Sequence, residues 1–269
     1  MSSETLPTIL ALDFDGVICD GMLEYFQSTW RTYCQIWQPT EVNPPEDLSP
    51  SFARLRPVIE TGWEMPVLIR SLIQGISEAE ILADWHSIAQ RIVEQENLNQ
   101  TELAKKLDQT RDEWIQNDLS GWLSLHRFYP GVVETLKWAI AQNAKALTTN
   151  PMKTVIITTK EGRFVKQLLQ QQGVDLGSTE IFGKESKRPK HQIIRELISQ
   201  ETGKPVVWFV EDRIKTLRSV QQQPDLTEVK LYLADWGYNT EGDRASARET
   251  PGIQLISLSQ FASDLANWP

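Results

Sequence analysis

The sequence predicts an α/β protein whose parallel sheet is interrupted, after its first strand, by an all-helical block. Three observations carry this. Short apolar runs at residues 8–12, 154–157 and 206–210 each end in polar or turn-forming residues, as buried strands of a parallel sheet do. Helical periodicity alternates with such runs from Pro130 onward, which implies right-handed crossover connections. Between residues 18 and 128 the helical period dominates, so this stretch reads as an insert.

The first strand, residues 8–12, runs directly into Asp13-Phe14-Asp15-Gly16. A carboxylate ends the apolar run too early for a signal peptide or a membrane span, and no other segment is long and apolar enough to span a bilayer. Over residues 22–37, Met22, Leu23, Phe26, Trp30, Tyr33 and Trp37 recur at helical spacing. A polar, proline-bearing loop is expected over 39–57. Ser77 and Glu80 form a capping-box pattern ahead of the stripe Ile81, Leu82, Trp85, Ile88, Ala89, Ile92 and Val93. Leu103, Leu107 and Trp114 give a further helix over 102–115. Beyond the insert, helices are expected at 132–140, 164–169, 193–198 and 214–220, with closing strands at 230–234 and 253–258. The expected organisation is a core domain of residues 1–17 and 129–269 and an inserted helical domain of residues 18–128. Of the ten tryptophans, Trp30, Trp85, Trp114 and Trp138 fall on apolar helix faces and are expected in the core.

With 40% hydrophobic and 23% charged residues among 269, the chain can bury a sizeable core. Its formal charge of −9, with no local Lys/Arg cluster, disfavours a nucleic-acid partner. A small anionic substrate remains compatible, because a narrow site can be basic on an acidic protein. Cys19 and Cys34 are the two cysteines, so no disulfide framework is expected; both read as small buried hydrophobes, and a reducing cytoplasm fits. His86, His126 and His191 are too dispersed for a zinc site.

In an open parallel sheet, ligands sit beyond the carboxyl ends of the strands. Here those ends carry Asp13 and Asp15, then Thr158-Thr159-Lys160, then Glu211-Asp212, with Lys187-Arg188-Pro189-Lys190 just ahead of a helix. Each group has an ordinary structural use: the first pair can begin a turn, Thr158 can be a strand residue, Lys190 a solvated helix start, and Glu211-Asp212 a helix cap. Together they are the set that phosphoryl transfer needs. A carboxylate nucleophile splits hydrolysis into two steps, and a second acid protonates the leaving group and then activates water. A hard divalent cation on oxygen ligands and a lysine offset the repulsion between anions.

These residues carry a resemblance. The pattern resembles the haloacid dehalogenase-like (HAD) hydrolase superfamily, with its four motifs in order at Asp13-Phe14-Asp15-Gly16-Val17, Val155-Ile156-Ile157-Thr158, Lys190, and Phe209-Val210-Glu211-Asp212. The resemblance implies a Rossmann-like core with a helical cap after the first motif, and a magnesium-dependent phosphatase acting on a small phosphorylated metabolite. It implies Asp13 as nucleophile and Mg2+ ligand. Asp15 would be the general acid/base and lend its carbonyl to the metal. Thr158 and Lys190 would bind phosphate, with Lys187 the alternative lysine. Asp212 would complete the ligands; many members have a glycine before that aspartate and a further acid four residues on, whereas this chain has Glu211 and Thr216 there, so the acids are adjacent and Glu211 is a further candidate. Gly16 and Thr159, and Arg56 in the insert, are candidate substrate contacts; Arg56 could equally pair with Glu60 or Glu64. Asp15 favours phosphate over halide, since halide needs no protonation. A phosphomutase, or a binding protein that has kept the fold and lost turnover, are the alternatives. The segments Phe128-Tyr129-Pro130-Gly131-Val132 and Trp236-Gly237-Tyr238-Asn239-Thr240 look like a little-characterised branch of the superfamily and name no substrate.

Overall fold

The computed structural model describes residues 6–144, 152–174 and 181–269. It divides into two compact units, one holding the chain up to Asp20 and from Arg127 to Pro269, the other Gly21–His126.

The first unit opens with β1 (Ile9–Leu12), wholly buried, and β2 (Cys19–Asp20). The second unit holds α1 (Met22–Trp37), α2 (Leu48–Leu55), α3 (Glu64–Ile73), α4 (Glu78–Gln95) and α5 (Gln100–Leu123). The first unit then resumes with β3 (Arg127–Phe128), α6 (Val132–Ala144), β4 (Lys153–Ile157), α7 (Gly162–Gln171) and β5 (Ile181–Phe182). It closes with α8 (Lys190–Gln200), β6 (Val207–Glu211), α9 (Ile214–Gln221), β7 (Lys230–Ala234), α10 (Glu241–Glu249), β8 (Ile253–Ile256) and α11 (Leu258–Phe261).

Six strands form one parallel sheet in the order β5-β4-β1-β6-β7-β8, so the α/β class predicted from the alternation holds. The strand order turns back at β1, which has β4 on one side and β6 on the other; such a reversal is where open sheets bind ligands. Side-chain alternation assigns the faces. Ile9, Ala11, Val155, Ile157, Val207 and Phe209 share a core with Ile193, Ile194 and Leu197 of α8. Trp208 and Tyr232, of opposite parity, pack with Trp268, with ring centroids 5.4–5.5 Å apart. β2 and β3 pair antiparallel where the chain leaves and re-enters this unit.

In the second unit, α1 buries Tyr25, Phe26, Trp30 and Tyr33. Glu24 is fully buried; its carboxylate lies 2.7 Å from Arg111 Nε of α5 and accepts bonds from Ser28 and from Trp122 Nε1. The capping box at Ser77 and Glu80 forms as predicted. Both long helices bend at an aspartate. Asp84 and Asp118 leave helical geometry, and each accepts the backbone N–H three residues on, which restarts the helix as an internal N-cap.

Four expectations need correction. The loop expected over 39–57 contains α2, which buries Leu48, Phe52 and Leu55; Pro50 sits in its first turn, where a missing N–H is no loss. The last strand stops at Ile256 and not at 258, because Ser257 and Gln260 cap α11. Trp138 is 39% exposed, since α6 buries Val132, Val133, Leu136 and Ala139 and Trp138 falls off that face. Cys19 is buried but Cys34 is only half-buried; both thiols are free.

Candidate active site

The sheet register brings the acids together. Leu12 pairs with Val210 on one side and Ile156 on the other, so Glu211, the last residue of β6, and Asp13 and Thr158, each one residue past its strand, emerge at one edge. Asp13 and Glu211 continue the parity of Ala11 and Phe209, the face covered by α8. Lys190 is the first residue of α8, and its long stem carries Nζ to 2.7 Å from both Asp13 Oδ1 and Glu211 Oε2. The four side chains Asp13, Glu211, Asp212 and Lys190 are therefore one buried cluster.

Its electrostatics are those of crowded anions. Burial, then the Glu211 charge, push the Asp13 carboxyl up to about 7, although Lys190 opposes the shift. Burial, and next to it Asp212, push Glu211 up to about 7 against the same lysine. For Lys190 burial acts to lower the pKa, but Asp13 and Glu211 outweigh it and hold the ammonium protonated well above its ordinary value. Asp13, Glu211 and Asp212 each offer an oxygen within 4.8 Å of the others. Three buried carboxylates against one lysine leave excess negative charge, and a hard oxygen-seeking cation fits that donor set.

The remaining predicted residues fall as follows. Asp15 lies in the tight loop after β1, where Gly16, at φ +85°, lets Ile18 and Cys19 donate back to the Phe14 carbonyl. A Cβ on Gly16 would stand 2.1 Å from Asp212 Oδ2, so the glycine also permits the close approach of that carboxylate. Thr158 is buried, its N–H bound to the Phe182 carbonyl and its hydroxyl accepting from the Lys160 N–H. Thr159 is exposed beside it. Lys187 stands in a left-handed turn before α8; Lys190 is the lysine at the acids. In the second unit, Arg56 donates to the Ile59 carbonyl and lies over the Tyr25 ring. Glu64 there accepts the N–H groups of Glu60 and Thr61 and the indole of Trp85.

Two features escaped the sequence reading. Lys160 Nζ lies 3.1 Å from Asp15 Oδ1, with both side chains largely buried. It stands two residues after Thr158 at the same strand end, which was the available signal. Asn239 and Tyr238 bond to Asp212, and only the fold brings them there. His86 lies on α4; His126 packs on Trp122, and His191 faces Ser219.

A model of the haloacid dehalogenase-like hydrolases matches residues 7–222. The chain belongs to this family. The family resemblance drawn from the motifs therefore holds, and with it the assignment to the hydrolases. No curated protein matches significantly. Among solved structures, a predicted phosphatase from Clostridium acetobutylicum is 13% identical, with TM-score 0.56 over 96% of this chain and 97% of that one. A predicted phosphoglycolate phosphatase from Haemophilus somnus is 17% identical, with TM-score 0.54 over 88% of each chain. Protein tyrosine kinase A of Mycobacterium tuberculosis is 12% identical, with TM-score 0.53 over 97% and 95%. At these identities the likeness is one of fold. Among the described residues, no helix is long and apolar enough to cross a membrane.

Proposed function

We propose that the chain is a magnesium-dependent phosphatase that hydrolyses a small phosphomonoester through an aspartyl-phosphate on Asp13. The observation that carries this is Lys190 held 2.7 Å from both Asp13 and Glu211, with Asp212 in the same cluster. Asp13, Asp212, the Asp15 carbonyl and Glu211 would hold Mg2+, which when bound neutralises charge on the transferring group. An Asp13 oxygen attacks phosphorus as the ester P–O bond breaks, and Asp15 gives its proton to the leaving oxygen. Asp15 then takes a proton from water, whose oxygen displaces Asp13 and releases inorganic phosphate. Lys190 and the Thr158 hydroxyl bind the phosphoryl oxygens, with Gly16 and Thr159 as neighbouring contacts. Residues 18–128 form the cap, in which Arg56 is the candidate substrate contact. The two free thiols suit a reducing compartment such as the cytoplasm.

The test is a panel of phosphomonoesters assayed with Mg2+ and with EDTA, alongside Asp13→Asn. Magnesium-dependent phosphate release that disappears in the variant supports the reading. Silence of the wild type across a broad panel, or release that persists in the variant, overturns it.

A further inference from the structure

The segment Trp236-Gly237-Tyr238-Asn239 follows β7 and is not part of any of the four motifs, yet it closes around Asp212. The Tyr238 N–H donates to Asp212 Oδ2 at 2.7 Å. The Asn239 amide nitrogen donates to the Asp212 carbonyl at 3.0 Å and to the Ala234 carbonyl at 2.8 Å. Arg244 Nη1, from α10, donates in turn to Asn239 Oδ1 at 3.0 Å and to its carbonyl at 3.1 Å. Two carbonyls on one side of the amide and a guanidinium on the other leave a single sensible orientation for it. An aspartate at 239 would lack both donors.

Packing acts in the same direction. A Cβ on Gly237 would stand 2.3 Å from Asp212 Cβ and 2.6 Å from the Gly16 carbonyl. Asp212 is thus wedged between two glycine backbones, one from each loop. The same segment is tied to the loop that carries Asp13 and Asp15. Trp236 Nε1 donates to the Val17 carbonyl at 3.1 Å, and the Tyr238 hydroxyl donates to Asp20 Oδ1 at 2.8 Å.

We propose that Asn239 is a positioning residue for the cation-binding carboxylate Asp212, anchored by Arg244 and acting with the Tyr238 N–H. The inference rests on the reading of Asp212 as a metal ligand. Asp212 stands one residue beyond the end of β6, so the sheet ladder no longer fixes its backbone; the Asn239 bond and the Tyr238 N–H replace that constraint. Groups that orient a ligand commonly govern metal affinity by about 10- to 100-fold.

The experiment is calorimetric titration of the full chain with Mg2+, comparing wild type, Asn239→Ala, Arg244→Gln and Asp212→Asn. Asp212→Asn marks the site by abolishing binding. Asn239→Ala is expected to weaken Mg2+ binding about 10- to 100-fold. The Mg2+ concentration for half-maximal phosphate release should rise by the same factor, with kcat at saturating Mg2+ close to wild type; a merely structural defect would lower kcat instead. Should Asn239→Ala fail to fold, Arg244→Gln, a half-exposed position, carries the test, with weakening in the same direction of about threefold or more. Wild-type Mg2+ affinity in a folded Asn239→Ala, or in Arg244→Gln where the former does not fold, overturns this inference alone. A wild type that binds no Mg2+ overturns the metal reading and this inference with it.

Discussion

Asp13→Asn separates the electrostatics of the site from its chemistry. Without a cation, burial and the Glu211 charge raise the Asp13 carboxyl from 3.8 to about 7. A carboxyl whose pKa is higher folded than unfolded binds protons more tightly in the native state. Its contribution to stability is therefore full at low pH and is lost as pH rises from about 4 through about 7. Above that window the ionised side chain costs roughly 4 kcal/mol relative to a neutral group of the same shape, at about 1.4 kcal/mol per pKa unit. Asparagine is that neutral group. In EDTA at pH 8 the variant should be more stable than wild type, by up to about 4 kcal/mol; at pH 5 the gain should shrink below about 2 kcal/mol. On the proposed metal reading, saturating Mg2+ at pH 8 should narrow the difference, since the wild type would bind the cation more tightly than the variant. Urea unfolding followed by tryptophan fluorescence, at both pH values with EDTA and with Mg2+, measures all of this. A variant no more stable than wild type at pH 8 in EDTA would refute the argument from buried repulsion.

Asp15→Asn should lower kcat by about 10²- to 10⁴-fold, the usual contribution of a general acid/base; steady-state phosphate release near the wild-type rate would remove Asp15 from that role. Gly16→Ala forces a side chain into a positive-φ position and onto the Asp212 carboxylate. It should cost at least about 1 kcal/mol in EDTA and also weaken Mg2+ binding, read by urea unfolding and titration on the same sample. In the second unit, Glu24→Ala takes from the Arg111 guanidinium its nearer carboxylate, leaving Asp108 at 3.8 Å, and takes the acceptor from the Trp122 indole; a loss of up to about 3–5 kcal/mol is expected. A change below about 1 kcal/mol in its unfolding free energy would show that Arg111 reaches water instead.

Much of the candidate site was legible because its signals are local. A strand that ends in Asp-x-Asp-Gly, a strand that ends in threonine, and a lysine opening a helix are each read within a few residues, and the parallel sheet then has to bring strand ends to one edge. The same holds for the capping box at Ser77, whose partner Glu80 is three positions away. The helix at Leu48–Leu55 was not legible, because a proline and a short apolar stripe look alike in a loop and in a first turn. Trp138 misled because an indole suggests burial, while helical spacing sets it off the face that Val132, Val133, Leu136 and Ala139 share.

The sequence by itself determined the alternation of strands with helices, the apolar runs that make most of the sheet, and the acids and lysine at its edge. These depend on propensity, periodicity and capping over short stretches. Only the tertiary structure decided which charges meet. Lys160 with Asp15, Lys190 shared between Asp13 and Glu211, and Asn239 on the Asp212 carbonyl join residues between 21 and 177 positions apart, as the numbering shows. Their energies depend on distance and burial in space, which no spacing along the chain encodes.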